Sequence, residues 1–148
     1  MRVEKDFRDF IASLNKFDVH YLIIGGFAYS FYVEPRYTKD IDILIEPSKE
    51  NAQKILQAIH HFGFEDIGLT EKDFLESGQI IQLGVEPVRI DILTSVKGME
   101  FSKLWKNRVQ GRYGDIHVYF ISKQDLIQCK KNSGRKQDLA DVEKLEKI

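Results

Sequence analysis

Two aspartates lie one residue apart in the run Lys39-Asp40-Ile41-Asp42-Ile43-Leu44-Ile45. In a strand, successive side chains project to opposite faces. Ile41, Ile43 and Ile45 then face a core, while Asp40 and Asp42 share the other face. Carboxylates held side by side repel each other, and a divalent cation relieves that cost. Magnesium suits such a site, since it takes oxygen ligands, commonly one or two carboxylates plus phosphate. A half-exposed strand with two solvated aspartates would show the same pattern. Arg89-Ile90-Asp91-Ile92-Leu93 repeats the alternation. There Ile90 and Ile92 turn inward, and Arg89 and Asp91 take the opposite face, so Asp91 offers a third carboxylate. In Ile23-Ile24-Gly25-Gly26-Phe27-Ala28 a β-rich run meets two glycines and then a helix. Glycines let the backbone approach a phosphate, and a helix start offers unpaired N–H groups. The same residues would also serve a plain strand-to-helix turn. Together they predict that Asp40, Asp42 and Asp91 converge on one face of one sheet, beside Gly25-Gly26.

Positioning these groups requires strands at 20–24, 41–45 and 88–93. Apolar spacing predicts a helix over 4–17, a short helix over 27–33 stopped by Glu34-Pro35, and a helix from Pro47-Ser48 to Gly63. A short strand is expected at 64–67. Strands at 80–85 and 88–93 join around Glu86-Pro87, and strands at 109–112 and 116–121 around Gly114-Asp115. Residues 99–107 read as helical. Ser122 caps a helix through Lys131, and Asn132-Ser133-Gly134 breaks it. A last helix over 135–148 would turn Leu139, Val142 and Leu145 inward. The fold class is α+β, or mixed α/β: a mixed sheet flanked by helices. One domain over 1–148 is expected, with a core at about 19–121 and a C-terminal helical segment at 122–148.

In combination these residues resemble the nucleotidyltransferase superfamily that includes DNA polymerase β. The motif reads Ile24-Gly25-Gly26, thirteen residues, then Asp40-Ile41-Asp42-Ile43, with Asp91 as the later carboxylate. Gly25-Gly26-Phe27-Ala28 and Pro35-Arg36-Tyr37-Thr38-Lys39-Asp40-Ile41-Asp42 resemble the small stand-alone bacterial branch. That branch includes the abortive-infection toxin and lincosamide-modifying types. Lys130, Arg135 and Asp138 resemble its closing pattern. The resemblance implies a nucleotidyltransferase fold and transfer of a nucleoside monophosphate from an NTP to a hydroxyl. It also implies two Mg2+ ions held by Asp40, Asp42 and Asp91, with Asp91 taking the hydroxyl proton. Gly25 and Gly26 would face the β and γ phosphates. Arg36, Lys130 and Arg135 would be the cationic clamps, and Asp138 would orient Arg135. Gly26 stands where many members carry Ser, so backbone donors alone are expected there.

The remaining residues bound the partners. The chain has 148 residues with 43% hydrophobic and 30% charged, an ordinary soluble composition that can bury a core. One cysteine, Cys129, excludes an internal disulfide and a cysteine-rich zinc site. The four histidines show no metal spacing, and His60 and His61 read as a helix end. Trp105 and Tyr37 read as core. No signal peptide or membrane span is legible, and a cytoplasmic protein is expected. Residues 97–136 carry ten Lys or Arg against three acidic residues, although the whole chain is at −1. Such a stretch is an ordinary solvated face or the footprint of a polyanion. In the second case Lys97, Lys103, Lys106, Arg108 and Arg112 would hold an RNA acceptor such as a tRNA 3′ end. A protein side chain or a small molecule is the rival acceptor. Two other readings are a non-catalytic nucleotide-binding half of a toxin–antitoxin pair, with an antitoxin-like protein partner, and a plain interaction domain.

Overall fold

The computed structural model describes residues 3–64, 67–84 and 89–148. Six strands form one mixed sheet: β1 (Tyr21–Ile24), β2 (Asp40–Ile45), β3 (Ile80–Leu83), β4 (Arg89–Leu93), β5 (Val109–Tyr113) and β6 (Ile116–Phe120). Their order is β3-β4-β2-β1-β6-β5. β2 runs antiparallel to β1 and parallel to β4, while β6 runs parallel to β1. Among the described residues, six α-helices accompany the sheet: α1 (Lys5–Lys16), α2 (Gly25–Tyr32), α3 (Lys49–Phe62), α4 (Phe101–Lys106), α5 (Lys123–Ser133) and α6 (Lys136–Glu146). This is the α+β, mixed-sheet arrangement with C-terminal helices that the sequence predicts.

Local chemistry accounts for the boundaries. The Ser48 side chain accepts from the Asn51 N–H and starts α3, and Ser122 accepts from Asp125 N–H to start α5. Gly134, at φ 68°, ends α5 in the left-handed conformation that favours glycine. All four β1 residues are buried, as befits a central strand covered on both faces. Ile41, Ile43, Ile45, Ile90 and Ile92 are all in the core, as the alternation predicts. α1 packs on α3 through the edge-to-face pair Phe10–Phe62, and α5 packs on α6.

Three expectations need correction. α2 begins at Gly25, so both glycines form its first turn instead of preceding it. In α6, Leu139 is 47% exposed, while Asp138 and Asp141 are buried with Val142 and Leu145. The inward stripe is therefore 138, 141, 142 and 145, and it recruits two carboxylates because cations wait opposite them. Tyr37 is no core residue: it is 81% exposed. Residues 71–74 form a 3-10 turn, Glu71–Phe74, closed by a Thr70–Asp73 capping box. The connection at Glu86-Pro87 and the centre of the expected 64–67 strand lie outside the described residues.

Candidate active site

Register brings the three aspartates together. β2 and β4 pair in parallel with Asp40 opposite Arg89 and Asp42 opposite Asp91. Paired residues share a face, so the carboxylates gather opposite the isoleucine core. One ligand atom from each of Asp40, Asp42 and Asp91 lies within 4.8 Å of the others, a spacing that can hold a metal ion. Asp91 is buried, at 8% exposure, and its Oδ1 has no hydrogen-bond partner. Buried polar atoms are nearly always paired, so this vacant acceptor fits a cation ligand. The donor set, all carboxylate oxygen, suits magnesium.

The charges are under tension in the metal-free protein. Burial, then repulsion from Asp40 and Asp91, pushes Asp42 up to about 7. Burial also raises Asp91 above the usual carboxylate range, against the pull of Arg89. Arg89 Nη2 donates to Asp40 Oδ2 at 3.1 Å and to Asp91 Oδ2 at 3.0 Å.

The glycine turn abuts the triad. Gly25 has φ +70°, and a Cβ there would stand 2.3 Å from Asp42 Oδ2. Only glycine satisfies both the backbone and the space. A Cβ on Gly26 would stand 2.3 Å from Thr38 Cγ2. Thr38 thus fills the space that a serine at position 26 would need.

The three expected clamps are joined in one ionic chain. Arg36 donates to both oxygens of Asp141 at 2.9 and 2.6 Å, with its guanidinium carbon 3.7 Å from the Tyr29 ring centroid. Lys130 Nζ donates to Asp141 at 2.9 Å and to Asp138 at 3.2 Å. Arg135 Nε donates to Asp138 at 2.9 Å, which is the orienting contact expected of Asp138. Burial would raise Asp138 and Asp141. For Asp138, hydrogen bonds from Ser133 and the charge of Lys130 carry it below the usual carboxylate range instead. For Asp141, Arg36 and Lys130 do the same. Lys130 is 8% exposed and holds two carboxylates, so its charge is met inside the fold. Arg135 is 79% exposed, and its charge is felt at Asp42. Arg36 forms the opposite end of this ionic chain.

Sequence reasoning misses Asp141. Its signal is the i, i+3 spacing to Asp138 on a helix whose apolar residues fill only part of the inward stripe. The basic stretch is also partly neutralised within the fold. Lys131 pairs with Glu146, Arg112 donates to Asp115 O, and Arg108 lies 3.9 Å over Trp105. Trp105 itself stacks on His20, and His61 bonds Ser13. No described helix is long and apolar enough to cross a membrane.

Comparison with known proteins gives the same reading of the fold. The family model described as a nucleotidyltransferase of unknown function (DUF6036) matches residues 1–147. The lincosamide antibiotic adenylyltransferase LnuA, in its lincomycin-bound structure, is 19% identical with TM-score 0.61, over 97% of this chain and 96% of its own. A Thermotoga maritima protein with a nucleotidyltransferase assignment is 15% identical with TM-score 0.62, over 93% and 88%. ANT(2″)-Ia, in complex with adenylyl-2″-tobramycin, is 12% identical with TM-score 0.56, over 94% and 84%. At these identities the likeness is one of fold. No curated protein matches the chain.

Proposed function

We propose a reaction from the premise that this chain belongs to the DUF6036 family of nucleotidyltransferases. It moves a nucleoside monophosphate from an NTP to an acceptor hydroxyl, with two Mg2+ ions held by Asp40, Asp42 and Asp91. The observation that carries this reading is the gathering of three carboxylates within 4.8 Å, against a glycine at which any side chain would collide with Asp42.

Metal bound at this triad would lower the pKa of the attacking hydroxyl and offset charge on the leaving pyrophosphate. The chain's own residues do the rest. Gly25 and Gly26 open α2, so their backbone N–H groups and the helix start face the β and γ phosphates. Asp91, whose buried Oδ1 has no hydrogen-bond partner within the protein, takes the acceptor proton. Arg135 supplies an exposed cation beside the site. Arg36 and Lys130 contribute fixed positive charge, held in place by Asp141 and Asp138, so little reorganisation is needed when phosphate arrives.

For the acceptor, the proposal is a hydroxyl on a small molecule. LnuA is an antibiotic adenylyltransferase with lincomycin bound, and the ANT(2″)-Ia complex contains an adenylylated tobramycin. Of the residues expected to hold RNA, Arg108 lies over Trp105 and Arg112 donates to Asp115 O, so both are engaged within the fold, which weakens the case for RNA.

The test is incubation with α-labelled NTPs, Mg2+ and separate pools of hydroxylated small molecules, tRNA and protein. Metal-dependent label in the small-molecule pool, lost in Asp40→Asn, is expected. Label in tRNA alone would move the acceptor to RNA held by Lys103, Lys106 and Arg108. No label in any pool with any of the NTPs would refute transfer.

A further inference from the structure

Arg89 stands directly across the β2–β4 pairing from Asp40 and two residues before Asp91. A single nitrogen, Nη2, bridges these two carboxylates at 3.1 and 3.0 Å. The cation of the arginine therefore lies between two of the three groups that would hold the metal. The contact is loosely built. It uses one nitrogen for both acids and lacks the parallel two-bond fork that makes arginine–carboxylate pairs strong. Arg89 Nε is buried without a hydrogen-bond partner, and so is Asp91 Oδ1. Both sides of the contact carry an unmet polar atom, and the arginine remains 34% exposed.

A metal ion bound to Asp40 and Asp91 must lie about 2.0–2.1 Å from their oxygens. That space is the one Nη2 borders, and two cations there repel each other. We propose that Arg89 is an exchangeable counter-ion. It neutralises Asp40 and Asp91 in the metal-free protein and swings toward solvent when a divalent ion enters, so it sets the metal affinity of the site. Metal loading is then a swap of one cation for another, and breaking the Arg89 ion pairs with Asp40 and Asp91 weakens the net binding. The inference rests on the metal reading of the triad given above.

The experiment uses Mn2+ as probe, titrated into the full chain without nucleotide and followed by the EPR signal of the free ion. Wild type, Arg89→Met, Arg89→Lys and Asp40→Asn are compared, with thermal melts in EDTA and in Mn2+. Arg89→Met should bind Mn2+ about tenfold more tightly or better, since a nearby unit charge has gone. Arg89→Lys, which keeps the charge, should stay close to wild type. In EDTA Arg89→Met should melt below wild type, and Mn2+ should raise its melting temperature by the larger amount. Equal or weaker Mn2+ binding in Arg89→Met, with wild type binding normally, overturns the exchange and leaves the metal site standing. Should Arg89→Met fail to fold without metal, Arg89→Lys decides: Mn2+ binding tenfold weaker than wild type marks the arginine as a support of the site and overturns the proposal. Absence of Mn2+ binding in every protein refutes the metal reading itself, and the exchange with it.

Discussion

Asp42→Asn should make the metal-free protein more stable, and only above acidic pH. The Asp42 carboxyl moves from 3.8 to about 7 on folding, through burial first and then the charges of Asp40 and Asp91. Below pH 4 it is protonated in both folded and unfolded chains and costs nothing. Between about 4 and 7 the unfolded chain releases the proton that the folded chain keeps. The unfolded state then binds fewer protons, so stability falls as pH rises, and the full cost is present above 7. Three units at about 1.4 kcal/mol each set a ceiling of about 4 kcal/mol. Asp42 is not fully enclosed, and solvent screening reduces this to about 2 kcal/mol. For a chain of this size that is a rise of roughly 4–8 °C in melting temperature. Melts of wild type and Asp42→Asn in EDTA, from pH 4 to pH 8, are the assay. The gap should open with rising pH and reach its full size near pH 8. Saturating Mg2+ should close or reverse it, because only the wild type keeps every ligand. An asparagine variant that melts lower at pH 8, or a gap that ignores pH, would refute the reasoning and make Asp42 a structural residue.

Gly25→Ala should reduce transfer by about a hundredfold or more and lower stability by about 1–2 kcal/mol from the left-handed backbone alone, read by turnover and by melts. Asp141→Asn should cost about 3–5 kcal/mol, since it leaves Arg36 and buried Lys130 short of counter-charge; urea unfolding measures this. Because Asp141 sits below the usual range in the folded state, its contribution is complete at neutral pH and fades as pH falls through its folded value, so the difference between Asp141→Asn and wild type should shrink in acid. Changing Lys103, Lys106 and Arg108 to alanine should leave transfer to a small-molecule acceptor within about twofold; a salt-dependent loss would favour RNA.

β2 and β4 are legible because isoleucines alternate with charged residues where each strand begins. Ile41, Ile43, Ile90 and Ile92 can face only one way, and that puts Asp40, Asp42 and Asp91 on the other. The start of α2 is harder to read, since two glycines look like a loop although their N–H groups already begin the helix. The C-terminal helix misleads for a deeper reason. Leu139 is the obvious inward residue from composition, yet the side facing Arg36 and Lys130 needs carboxylates, and those cations come from α5 and from the loop between α2 and β2. No window around residue 139 contains that information. Arg36 and Lys130 stand out by their charge, but their reach depends on partners as far as 105 residues along the chain. Thr38 filling the side of Gly26 is likewise a contact between segments, invisible to a motif that counts residues.

The pairing of β2 with β4 also makes the site intolerant of insertions and deletions. Asp42 meets Asp91 only because Ile41 meets Ile90 and Ile43 meets Ile92. One residue added to or removed from β4 would exchange its faces, sending Asp91 into the isoleucine layer and Ile90 or Ile92 toward the side of Asp40 and Asp42. A burial cost enforces the alignment, so the hydrophobic layer proofreads the polar one during folding. Asp40 and Asp42 also leave the ribosome well before Asp91, and the triad can close only after β4 has been made and docked beside β2. Nascent chains shorter than that should lack a competent metal site, and chain-length variants within β4 should fail as folded proteins before they fail as enzymes.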